Sequence, residues 1–181
     1  MFATELYGIT PDILVFGKGV AGGFPLAGII ADEALRGYDA GEDAFSFGHS
    51  PFSLVAALAN IKVLEQGTLL KRCIELNDYI TNYLLEMQKK YEIIGDVRGP
   101  GLAIGIELVK NRESKEPAID EAAKIARVAF TEGVIFGVSK YANMGHVLKI
   151  KPPLVITDEE IEIVLEVFKK SVSKVSNRLP I

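Results

Sequence analysis

At 181 residues, 49% of them hydrophobic and 24% charged, the chain suits one good core or two small subdomains of ordinary globular composition. A formal net charge of −4, with no block of like charge, argues against a nucleic-acid partner. No apolar run reaches membrane-spanning length, no signal-peptide pattern follows Met1, and the single cysteine, Cys73, excludes an internal disulfide, so a cytoplasmic location off the membrane is expected.

Met1 to Asp12 reads as turn-like, punctuated by Gly8 and Pro11. Ile13, Leu14, Val15 and Phe16 form an unbroken apolar run, the pattern of a strand buried on both faces of a parallel sheet. The run ends at Gly17-Lys18-Gly19, with Gly22-Gly23 close behind. Lys18 therefore sits at a strand end between two residues without a Cβ, where a bulky ligand can approach the backbone. A lysine partly desolvated there is a candidate amine nucleophile; otherwise it is a solvated charge in a glycine-rich turn. The glycines match neither a dinucleotide fingerprint nor a phosphate-binding Walker loop. Leu26 to Ala31 reads as a second buried strand and Asp32 to Leu35 as a turn of helix, followed by a polar loop from Gly37 to Gly48.

Pro51 suits the first turn of a helix carrying Leu54, Val55, Leu58, Ile61 and Leu64, and Gly67 suits its end. A second helix follows, with Leu69, Cys73, Leu76, Ile80, Tyr83 and Met87 on one stripe that reads as core. Alternation of Leu102, Ile104, Ile106 and Leu108 predicts a strand. Arg98 reads as a structural ion-pair residue, and Asn111 to Pro117 as a charged loop. A helix presents Ile119, Ala122, Ala123, Ala126 and Ala129 on one side and closes at Gly133. Val134 to Val138 is a predicted strand, and Lys140 to Gly145 a polar turn. Thr157 and Glu160 form a capping box opening a last helix with Ile161, Val164, Leu165, Phe168 and Val172 on its apolar face. Two histidines and one cysteine make no metal cluster, so no metal site is expected.

Several stretches carry a resemblance. Pro11-Asp12-Ile13, Gly17-Lys18-Gly19, Gly22-Gly23, Pro25 and Gly28 resemble the cofactor-lysine segment of class III pyridoxal-phosphate aminotransferases. Ser46-Phe47-Gly48-His49-Ser50-Pro51 resembles that family's Thr-Phe-Gly-Gly-Asn-Pro turn, with His49 and Ser50 as departures. Val97-Arg98-Gly99 and Gly101-Leu102 resemble the strand that opens its small domain. In His146 to Leu154, Lys149 stands where many members place the arginine that binds the substrate carboxylate. A lysine can pair with a carboxylate as a point charge but lacks the planar fork, and a solvated lysine beside Lys151 is the competing reading.

The resemblance implies an α/β fold, the C-terminal part of a fold-type I pyridoxal-phosphate-dependent transferase. It divides the chain into the end of the large cofactor domain (1–66), a connecting helix (67–94) and the small C-terminal domain (95–181). It implies transamination between an amino or omega-amino acid and a 2-oxo acid, with pyridoxal 5′-phosphate as cofactor. Lys18 would be the Schiff-base lysine and proton shuttle, Ser46 and Phe47 further cofactor contacts, and Lys149 the substrate-carboxylate residue. A homodimer or larger assembly follows from the same likeness. The family's pyridine-pairing aspartate and main phosphate loop would precede Met1, so the alternative is a catalytically incompetent remnant acting as a dimerisation or folding module.

Overall fold

A computed structural model describes residues 1–35, 37, 39, 42, 48, 50–139 and 144–176. The chain forms two compact units, Met1–Leu70 and Lys71–Ile181, each with its own logic.

In the first unit a single helical turn, α1 (Ala3–Leu6), precedes β1 (Ile13–Phe16). A 3-10 turn over Lys18–Ala21 then reverses the chain, with Gly22 and Gly23 at positive φ, into β2 (Gly28–Ala31). The two strands pair antiparallel, Ile13 opposite Ala31 and Phe16 opposite Gly28. The expectation of a parallel strand buried on both faces is corrected here: Ile13, Val15, Ile29 and Ile30 are exposed. The reason is local, because the glycine-rich reversal returns the chain beside its own strand and makes a two-stranded ribbon with open faces. Gly28 is needed for that pairing, since a Cβ there would lie 2.6 Å from the Phe16 ring. Glu33–Leu35 is the short helical turn expected after β2, with the Asp32 carboxylate accepting from the Ala34 amide at 2.9 Å.

Helix α2 runs Pro51–Glu65, with proline in its first turn as expected, and Gly67 past its end has φ 80°. Helix α3 spans Thr68–Lys90. From Lys71 onward it belongs to the second unit, where Cys73, Leu76, Ile80, Leu84 and Met87 enter the core.

That core lies beneath an antiparallel sheet ordered β3 (Ile94–Arg98), β4 (Ile104–Asn111), β7 (Val147–Ile150), β6 (Gly137–Val138). The two-residue β5 (Glu116–Pro117) pairs with β4, so the predicted charged loop contributes a short strand. Inward-facing Ile104, Ile106, Leu108, Leu148 and Ile150 meet α3, α4 (Ile119–Thr131) and α5 (Asp158–Ser176). In α4 the buried face is Ala122, Ile125 and Ala129, whereas Ile119 and Ala123 are exposed. Phe168 of α5 is fully buried and meets Phe136 edge to face, ring centroids 5.5 Å apart. The Thr157 hydroxyl accepts from the Glu160 amide at 3.2 Å, and the Glu160 carboxylate accepts from the Thr157 amide at 2.9 Å, which completes the capping box. No helix among the described residues is long and apolar enough to cross a membrane, and they hold no cluster of metal-ligating side chains.

Candidate functional site

Lys18 stands where β1 gives way to the 3-10 turn. Gly17 before it is extended, and a Cβ there would press on the Ala27 side chain at 3.2 Å. Lys18 itself has φ 52°, the left-handed region that costs an L-residue about 1–2 kcal/mol. Only Lys18 and Lys115 do this among the described non-glycine residues. Backbone strain held at one position by its surroundings is characteristic of functional sites.

Two backbone amides and one side chain hold the turn. The Val20 amide donates to Gly17 O at 3.2 Å and the Gly22 amide to Gly19 O at 3.1 Å. The side-chain amide of Asn60, on α2, donates to Gly19 O at 2.9 Å and to Val20 O at 3.1 Å. Lys18 is exposed, and its side chain makes no hydrogen bond or ion pair with the described residues. The backbone on either side of it, at Gly17 and Gly19, borders a shallow groove of about 360 Å³ with Phe2, Val15, Phe16 and Leu64.

Lys149 lies in the second unit, at the middle of β7. Its neighbours Leu148 and Ile150 point into the core, so by strand alternation Lys149 faces the sheet's other side and is half-buried. In register it faces Gly105 of β4 and Gly137 of β6. Beyond Gly105 in the same row is Arg98 of β3. The Arg98 guanidinium pairs with Asp96 and, at 2.8 Å, with Glu107, so it is the ion-pair residue expected. That hydrogen bond holds the Glu107 carboxyl below the usual carboxylate range, against the opposing effect of partial burial. His146 Nε2 lies 3.4 Å from the same carboxylate.

The Aminotransferase class-III family profile matches residues 1–172. The chain belongs to the class III aminotransferases. Family members depend on pyridoxal 5′-phosphate. The chain is 37% identical to an alanine/serine racemase of Pyrococcus horikoshii, covering 94% of this chain and 35% of that protein. It is 36% identical to a 4-aminobutyrate aminotransferase of Escherichia coli, covering 94% of this chain and 40% of that one. A solved transaminase from the marine bacterium Virgibacillus superposes with a TM-score of 0.88 at 26% identity, over 99% of this chain and 43% of that structure. The chain thus spans well under half the length of each.

Within the class III fold, Lys18 belongs to the first unit and Lys149 to the second. Ser46 and Phe47, expected at the cofactor, lie outside the described residues. The residues around Lys18 fit an aldehyde cofactor in one respect. They offer a primary amine whose side chain has no competing partner among the described residues, on strained backbone flanked by glycines that leave the approach open. Sequence reasoning missed Asn60. Its one signal is an amide amid the apolar residues of α2, Leu58, Ile61 and Leu64.

Proposed function

We propose that this chain carries the lysine of a pyridoxal-phosphate-dependent aminotransferase and that the reaction is transamination between an amino or omega-amino acid and a 2-oxo acid. The observation that carries the reading is Lys18, an exposed amine without a partner among the described residues, on strained backbone at a strand end. On this reading residues 1–66 end the large cofactor domain, 67–94 connect it, and 95–181 form the small domain.

When bound, the cofactor supplies an electron sink that stabilises negative charge at the substrate's Cα. Lys18, through Nζ, would hold the cofactor covalently and would be freed when a substrate amine takes its place. The freed amine would act as the base that takes the substrate's Cα proton and as the acid that gives it back. Ser46, through its hydroxyl, and Phe47 complete the cofactor contacts. Lys149 orients the substrate by pairing with its carboxylate. The working form is a homodimer or larger.

A second reading has its own support, the 37% identity to a protein named alanine/serine racemase. Lys18 would then exchange the Cα proton on its own face while a second proton donor acts on the opposite face, and the amino group would stay on the substrate. Both readings use one lysine and one cofactor.

Borohydride reduction of the chain with pyridoxal phosphate tests the shared step. The expected result is a new absorbance band near the visible edge and label on the peptide containing Lys18, lost in Lys18→Ala. Label on another lysine, or none, would sink the assignment and favour a folding or dimerising module. Given labelling, release of a 2-oxo acid from an amino donor separates transamination from racemisation.

A further inference from the structure

Glycine inside a strand loosens it, costing about 0.5–1 kcal/mol relative to alanine, so two glycines facing one residue call for a cause. Gly105 and Gly137 flank Lys149 in register across β4, β7 and β6. Two ordinary causes are absent. Neither glycine has a left-handed φ. Neither is crowded by the chain: a Cβ on Gly105 would find its nearest atoms, Arg98 O and Val147 Cγ1, at 3.6 Å. On Gly137 the nearest would be Lys149 Cβ at 3.5 Å. Both are ordinary contact distances. Elsewhere in the unit glycine is compelled from within. A Cβ on Gly99 would stand 2.1 Å from Ala103 O, and one on Gly95 2.9 Å from the Val109 methyls.

What remains is approach from outside, the other reason for bare backbone in a strand. The strip lies on the sheet face turned away from the core, and its centre is a cation. Lys149 has no carboxylate partner among the described residues, whereas Arg98 in the same row is committed to Asp96 and Glu107. The backbone hydrogen-bonding groups of β7 are engaged with β4 on one side and β6 on the other. A ligand therefore gains charge pairing and contact area at Lys149, where β7, paired on both sides, offers a new strand no edge to join.

We propose that Gly105 and Gly137 are specificity-determining positions: they keep a bare strip on either side of Lys149 on which the flat carboxylate end of a 2-oxo or amino acid lies against the ammonium group. This rests on the reading of Lys149 as the carboxylate partner. Side chains at the glycine positions would narrow access in proportion to their size while leaving the charge in place.

The test is titration of the isotope-labelled chain with pyruvate, followed by NMR, in the parent chain, Gly105→Ala, Gly137→Ala, Gly105→Val, Gly137→Val and Lys149→Met. Pyruvate is expected to shift the Gly105 and Gly137 amides and the Lys149 signals. The alanine variants, which the sheet has room for, should raise Kd about threefold and the valine variants about tenfold or more. Thermal melting within a few degrees of the parent would show the fold intact, and Lys149→Met should abolish the shifts. Loss of binding in Lys149→Met with parental Kd in all four glycine variants would overturn the proposal and leave Lys149 as the partner. Unchanged binding in Lys149→Met, or no shifts in the parent chain, would overturn the reading beneath it as well.

Discussion

Asn60 holds Gly19: its side-chain amide donates to the Gly19 carbonyl at 2.9 Å and to the next carbonyl, Val20 O, at 3.1 Å. One side chain on α2 thus fixes the turn that presents Lys18. Each neutral hydrogen bond is worth about 0.5–1.5 kcal/mol net. Asn60→Leu keeps the size and removes both. Hydrogen exchange at the Val20 and Gly22 amides, which close the turn, should accelerate about tenfold, since 1.4 kcal/mol corresponds to a factor of ten. Unchanged exchange at both amides would show that the turn holds itself.

The Arg98–Glu107 pair makes a pH prediction. Hydrogen bonding to Arg98 keeps the folded Glu107 carboxyl below its ordinary value. A carboxylate with a depressed folded pKa stabilises above its unfolded pKa, about 4.3 for glutamate, and loses that contribution as pH falls through the folded value. Melting of the chain should show a Glu107-dependent decline below about pH 4.3 that Glu107→Gln lacks. Arg98 is largely exposed, so the effect at neutral pH should stay within about 1 kcal/mol. A parallel acid profile in parent and variant would remove Glu107 from the account.

Phe168 is the largest side chain sealed in the second unit, and its edge-to-face contact with Phe136 ties α5 to the segment before β6. Phe168→Ala should cost about 3–5 kcal/mol, the range for deleting a buried aromatic ring. The loss should fall on the second unit, read as disappearance of its dispersed methyl signals and early denaturant unfolding. A loss under about 1 kcal/mol would mean that the core refills the space.

The sequence made legible what is local and periodic. Pro51, Gly67 and the Thr157–Glu160 pair mark helix ends by chemistry confined to one turn, and each stands where expected. The alternation from Ile104 to Leu108 revealed β4 because its two faces meet different surroundings. The apolar run Ile13–Phe16 revealed a strand without its neighbour, and in this chain that neighbour is β2, antiparallel. The strands β5 and β6 are two residues each, too short for any period to show. The Asn60 clamp joins residues 41 apart, and the glycines beside Lys149 acquire meaning only from sheet register. Nor does any local pattern announce the left-handed φ of Lys18.

The two units should differ sharply in protection. In the first, Ala21 and Ala57 are the buried hydrophobic residues among those described, while Val15, Ile29, Phe52 and Val55 are all more than half exposed. Among the described residues its sheet is one two-stranded ribbon, an arrangement marginal on its own in water. Among its described residues the second unit seals twelve large side chains to less than 2% exposure. Local opening follows buried apolar contact, so amides of Ile13–Phe16 and Gly28–Ala31 should exchange orders of magnitude faster than those of Ile104–Leu108. Exposed apolar faces and an unpaired strand edge also favour association. Raising the concentration of the chain should produce dimers or larger species and slow exchange selectively at β1 and β2. A monomer whose ribbon is as protected as β4 would refute the prediction.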